Sequence, residues 1–162
     1  MNFKEAGKKA IIKYFPLLVN LIRFMRDTEA LNRKLEYREA LGFHFNGPIS
    51  MQEGSFEPQE TLLFEKLVSK FDMFVNIGAN TGYYVCKAMS QGVDVLAFEP
   101  NQVNVNILLR NVEGNNFKSK FHLFPIGLSD QFGILPMYGV GTGASFTEGW
   151  AGQTHKNLVP IS

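Results

Sequence analysis

Between Met73 and Ile126 the chain alternates short apolar runs with segments of helical period: Met73 to Ile77, Tyr83 to Ser90, Val93 to Phe98, Gln102 to Val112 and Phe121 to Ile126. Runs of the first kind read as strands and those between them as crossover helices. A strand, helix, strand, helix, strand order predicts parallel strands joined by right-handed crossovers, hence an α/β layered domain. At 162 residues, 45% of them hydrophobic, the chain has room for one modest core and not for two ordinary domains.

What precedes this alternation has a different character. Ile11, Phe15, Leu18, Val19, Ile22 and Met25 recur at three- and four-residue spacing, with Lys4, Lys8, Lys9, Lys13, Arg23 and Arg26 mostly elsewhere. The pattern predicts an N-terminal helix, broken near Pro16, and a second, more charged helix from Asp27 to Ala40. Ala10 to Met25 is too short and too interrupted by Lys13, Pro16, Asn20 and Arg23 to span a membrane, and no small-residue cleavage site follows it. A basic amphipathic helix suits an anionic membrane surface or a partner, although most stripes of this period face their own core.

Charge and cysteine usage exclude several classes. Sixteen basic and fifteen acidic residues leave a net charge of +1, so no nucleic-acid partner is expected. A single cysteine, Cys86, excludes an intramolecular disulfide and a Cys-rich metal site, and suits a cytoplasmic location. Within a helical segment it reads as a small buried thiol rather than a nucleophile.

Gly42 to Ser55 reads as a loop or short hairpin leading into the domain. Glu57-Pro58-Gln59-Glu60 then opens a helix, with Pro58 at a first helical position and carboxylates at the positive end of the dipole. After Ser129-Asp130, Gly133 to Val140 reads as a short strand pair, followed by a glycine-rich loop at Gly139, Gly141, Gly143 and Gly149.

The chemistry centres on Gly78-Ala79-Asn80-Thr81-Gly82, between a strand end and a helix start. Such a turn lets backbone approach a ligand and is expected to leave free amide N–H groups at the helix N-terminus. Glu99 lies 17 residues beyond Gly82, at the end of the next strand, where a carboxylate can accept hydrogen bonds from both ribose hydroxyls. The pairing points to an adenosine-type ligand. A dinucleotide fits less well, because Asn80 and Tyr83 stand where that fingerprint wants glycine. S-adenosylmethionine has no pyrophosphate to cradle and makes weaker demands there.

Phe74-Val75-Asn76-Ile77-Gly78-Ala79-Asn80-Thr81-Gly82-Tyr83-Tyr84, then Ala97-Phe98-Glu99-Pro100-Asn101, then Ile126-Gly127-Leu128-Ser129-Asp130, together resemble the FkbM family of methyltransferases. Phe56-Glu57-Pro58 and Gly141-Thr142-Gly143-Ala144-Ser145 extend the likeness, which covers roughly residues 54 to 162 and leaves 1 to 53 as an N-terminal helical extension and loop. The resemblance implies a Rossmann-like class I methyltransferase sheet using S-adenosyl-L-methionine. By position, Gly78, Ala79, Asn80 and Gly82 would line the methionine and ribose part of the cofactor, and Glu99 would hold the ribose diol. Pro100 and Asn101 would border the adenine, with Ile126, Gly127 and Leu128 closing its other face. Asn76 stands where the family usually has aspartate, so the cofactor's ammonium would meet an amide without charge assistance.

Family members continue into further strands beside the first one, with a Lys-Ile-Asp-x-Glu-Gly-like motif, whereas this sequence ends at Val159-Pro160-Ile161-Ser162. The resemblance therefore implies a truncated sheet, with Met73 to Ile77 an exposed edge that invites homo-oligomer formation. The expected activity is O-methylation of a small-molecule or sugar hydroxyl. The runner-up is a non-catalytic cofactor-binding remnant or interaction module, and an NAD-dependent oxidoreductase is disfavoured by the glycine spacing. No catalytic base is assigned: His44, His122 and His155 are candidates by type alone, and His122, alternating within a strand, reads as structural.

Overall fold

The computed structural model describes residues 14, 15, 18, 21, 22, 25, 28, 29, 31–139, 143–150 and 156–162. The chain divides into two compact units, Met1–Arg33 and Lys34–Ser162. In the first, positions 14, 18, 21, 22, 25, 28, 29, 31 and 32 are helical, and Phe15, Leu18, Ile22 and Met25 are exposed. No helix among the described residues is long and apolar enough to cross a membrane.

The charged helix expected from Asp27 to Ala40 stops short: the described helical positions end at 32. Strand β1 (Glu36–Arg38) pairs antiparallel with β2 (Phe43–Phe45), with Tyr37 opposite His44. Gly42 closes the turn with φ +79°, and its amide and that of Leu41 both donate to the Arg38 carbonyl. The period-two order Phe43-His44-Phe45 explains the outcome: both phenylalanines are buried and the histidine is exposed. They form a small core with Met51, Tyr83 and Cys86. The sequence division at 53/54 thus differs from the division by packing at 33/34, because this hairpin is part of the second unit's interior.

Helix α1 (Ile49–Gln52) is a single turn, and α2 (Pro58–Val68) starts with its proline at the first position, as the missing N–H of that residue allows. Strand β3 (Met73–Ile77), helix α3 (Tyr83–Ser90), strand β4 (Asp94–Phe98), helix α4 (Gln102–Glu113) and strand β5 (Phe121–Phe124) follow the predicted alternation to within a residue or two. The three strands form a parallel sheet of order β3-β4-β5, with Val75 beside Leu96 and Leu96 beside His122. One face is covered. Val95 and Ala97 lie there against Val85, Ala88 and Met89 of α3 and Leu108 of α4, with Phe74, Phe121 and Leu123 at the margin. On the opposite face Met73, Val75, Ile77 and Phe124 are exposed, and β3 is the sheet's edge.

Gly133 to Val140 does not form a strand pair by itself. Strand β6 (Gly133–Tyr138) takes its partner from β7 (Lys156–Ile161), antiparallel, with Leu135 opposite Val159. A bridge from Gly127 to Ile161 then ties β7 to the segment after β5: the Gly127 amide donates to the Pro160 carbonyl and the Ser162 amide to the Gly127 carbonyl, each at 3.0 Å.

Candidate functional site

The chain leaves β3 through a turn in which Gly78, Asn80 and Gly82 all have positive φ, at +78°, +52° and +88°. Gly82 is further constrained by packing, since a Cβ there would stand 2.9 Å from Leu108 Cγ. The amides of the turn itself are engaged. Those of Gly78 and Ala79 donate to the Phe98 carbonyl, that of Asn80 to Glu99 Oε2, that of Thr81 to Asn80 Oδ1 and that of Gly82 to the Ala79 carbonyl. A phosphate cradle needs unsatisfied N–H groups pointing at the ligand. With these five engaged, the turn is a wall rather than an anion nest.

Glu99 directly follows β4 and is 3% exposed. Its Oε2 accepts the Asn80 amide at 2.7 Å, while Oε1 accepts the Asn101 amide at 2.9 Å and the Asn104 Nδ2 at 3.3 Å. Burial pushes its pKa up from the ordinary carboxylate value, and these three hydrogen bonds oppose the rise. A carboxylate offers about four lone-pair sites, so roughly one remains for a ligand unless Asn104 turns away.

A cavity of about 390 Å³ opens beside this carboxylate, and Gly78, Asn80, Glu99, Pro100, Gly127 and Leu128 all line it. It lies past the carboxyl ends of β3 and β4, where open parallel sheets hold ligands. Asn76 and Ala79 instead line a neighbouring chamber of about 280 Å³, which shares Gly78 and Asn80 with the first. Gly82 and Asn101 line neither. The Asn101 side chain caps α4, accepting the amides of Val103 and Asn104. An apolar groove of about 340 Å³ between α2 and β3 contains Leu63, Leu67, Phe71 and Met73 but lacks the converging polar groups of the Glu99 cavity.

Several contributors escaped the sequence reading. Asn104, Met137 and Phe146 complete the Glu99 cavity, the last two from the β6 strand and the loop beyond it. Asn111, fully buried on α4, accepts the Asn46 amide at 2.8 Å and donates to the carbonyls of Asn46 and Thr81 at 2.8 and 2.7 Å. It joins the hairpin, α4 and the glycine turn. A buried amide amid an apolar stripe was the available signal.

The two described histidines line neither cavity, His44 and His122 being exposed on β2 and β5, and His155 lies outside the described residues. Cys86 is buried, and burial pushes its thiol far up, so it is a packing group. No cluster of metal-ligating side chains occurs among the described residues.

No protein-family model matches the chain, and no curated protein is significantly similar to it. Among solved structures, it is similar to a protein of Pyrococcus horikoshii described as a candidate RNA methyltransferase, with 23% identity and a TM-score of 0.38. The overlap covers 62% of this chain and 50% of that one, so the chain spans about half the length of that structure.

Proposed function

We propose that the Glu99 cavity receives the adenosine part of S-adenosylmethionine and that the protein is a methyltransferase acting on a small-molecule or glycan hydroxyl. The observation that carries this reading is the convergence of a buried carboxylate and a tight positive-φ turn on one cavity, at the carboxyl ends of adjacent parallel strands. The residues present fit an adenosine. Glu99 is an acceptor without a cationic partner among the described residues, suited to a ribose hydroxyl, and Leu128, Phe98 and Phe146 give an apolar wall for a base. The engaged amides of the turn favour a ligand without pyrophosphate over a dinucleotide.

The cofactor, when bound, supplies a methyl group already activated on a sulfonium. What falls to the protein is alignment of the acceptor, exclusion of water and a path for the hydroxyl proton, which leaves the acceptor oxygen for a base or solvent as the methyl group arrives. Asn80 fixes one oxygen of Glu99 through its amide, so the carboxylate is held in place for one ribose hydroxyl, and the second is met when Asn104 turns away. The net charge of +1 supports an uncharged acceptor better than a polyanion.

A second reading, a cofactor-binding or interaction module without turnover, is favoured by the uncovered apolar face of the sheet. Titration with S-adenosylhomocysteine, beside Glu99→Ala and with NAD as control, tests the binding claim. Methyl transfer to a panel of hydroxyl acceptors separates the two readings.

A further inference from the structure

In the N-terminal unit Leu18, Leu21, Ile22 and Met25 are all helical, and each is between 49% and 61% exposed. Their three- and four-residue spacing sets them on one face of a helix, so four large apolar side chains form a single stripe. Phe15, also exposed, stands outside the helix, because the ring of Pro16 disfavours helical backbone at the residue before it. Apolar residues scattered singly over a surface are ordinary, whereas a contiguous stripe marks an interaction site.

The breadth of the apolar face narrows the choice of partner. From Leu18 to Met25 only Asn20 and Arg23 are polar, and three residues apart they share one narrow side of a helix of this period. At that period Val19 and Phe24 fall to either side of the stripe and widen it. Two helices that pair in water want a narrow apolar seam flanked by charged residues, which these positions do not supply. A wide apolar face suits lipid. No described helix is long and apolar enough to cross a bilayer, so the fitting geometry is a helix lying in the plane of its surface.

Charge selects the kind of surface. Six of the sixteen basic residues, Lys4, Lys8, Lys9, Lys13, Arg23 and Arg26, fall in the first 26 positions, against one of the fifteen acidic residues, Glu5. Those positions therefore carry +5 and positions 27 to 162 carry −4, an asymmetry that the whole-chain value of +1 conceals. Anionic headgroups attract the first segment and not the remainder.

We infer that residues 4 to 26 bind the surface of an anionic lipid bilayer, with Leu18, Leu21, Ile22 and Met25 at the boundary between headgroups and acyl chains and the basic residues on the lipid phosphates. Apolar burial and headgroup attraction act together, and each is needed for stable binding. The inference stands apart from the ligand read into the Glu99 cavity.

Flotation of the full chain with vesicles tests it, using phosphatidylcholine alone and phosphatidylcholine with roughly a third phosphatidylserine. Binding to the anionic vesicles is expected to exceed binding to the neutral ones by about tenfold or more and to fall as salt rises. Ile22→Glu, at an exposed position, is expected to lower it about tenfold, and Lys9→Glu combined with Lys13→Glu by about as much, with the melting temperature unchanged in both. No binding to either vesicle, equal binding to both, or full binding by Ile22→Glu overturns the inference. Self-association in buffer that Ile22→Glu abolishes, without vesicle binding, would make a second copy the occupant of the stripe and overturn it as well.

Discussion

The Asn80 amide donates to the Glu99 carboxylate at 2.7 Å, so the turn that leaves β3 and the end of β4 hold one another in place. That bond brings together, at one cavity, the two sequence features that pointed to an adenosine ligand. It also means that Glu99 is part of the fold as well as of the cavity, and its substitutions will report on both.

Protonation offers a way to see the first role. Burial raises the Glu99 pKa above the ordinary carboxylate value of 4.5, despite hydrogen bonds from Asn101, Asn80 and Asn104. The folded chain therefore holds this proton more tightly than the unfolded chain, so its contribution to stability is full below 4.5 and is lost as pH rises through the folded pKa. Glu99→Gln lacks this dependence. The melting temperature of the wild type, relative to that of Glu99→Gln, is expected to decline as pH goes from about 4 to about 7. A flat or rising difference would contradict the assigned burial.

Asn111→Ala removes three hydrogen bonds to backbone groups of Asn46 and Thr81 in a fully buried setting. Each orphaned group costs about 1 kcal/mol or more, so a loss of roughly 3 kcal/mol is expected from urea unfolding. A loss under about 1 kcal/mol would show that the hairpin is not joined to the glycine turn through this amide.

The glycines of the turn differ in what an added methyl group meets. Nothing lies within 4 Å of a Cβ at Gly78, whereas one at Gly82 would stand 2.9 Å from Leu108 Cγ. Both have positive φ, so both substitutions carry about 1 kcal/mol of backbone strain. Gly82→Ala should be the more destabilising by a further ~1 to 2 kcal/mol. Gly78→Ala should instead act mainly on ligand affinity, since Gly78 lines both chambers. Equal losses of stability would refute the distinction.

Parallel sheets are found with both faces covered, and here Met73, Val75, Ile77 and Phe124 are exposed on one face while the outer edge of β3 has no strand partner among the described residues. We propose that two copies pair antiparallel through β3, whose five residues carry no charge to oppose the approach. Sedimentation should show concentration-dependent dimers for the wild type and monomers for Val75→Lys. A wild type that stays monomeric, or a variant that dimerises equally well, contradicts the proposal.

The core alternation was legible because period and turn residues agreed: Pro58 opened α2, Gly82 preceded α3, and the bounds of β3 followed from Met73 to Ile77 alone. Two misses share one cause. The β1–β2 hairpin and the β6–β7 pair depend on partners that local pattern does not reveal, since Glu36 to Arg38 reads as charged helix until Phe43 and Phe45 need a place in the core, and Lys156 to Ile161 is a strand only beside Gly133 to Tyr138. The turn's engaged amides were likewise beyond sequence, because which carbonyl or carboxylate faces an N–H is a matter of geometry. At the site, Glu99 and Gly78 line one cavity, but the residue types could not tell that Asn101 caps α4 while Asn104 reaches Glu99.

The most direct measurement is calorimetric titration of the folded chain with S-adenosylhomocysteine, beside Glu99→Ala. The account predicts saturable binding by the wild type, with NAD inert, and at least about a tenfold loss in the variant once circular dichroism shows it folded. A folded wild type that fails to bind, or a variant that binds equally well, would contradict the assignment of the Glu99 cavity as the adenosine site.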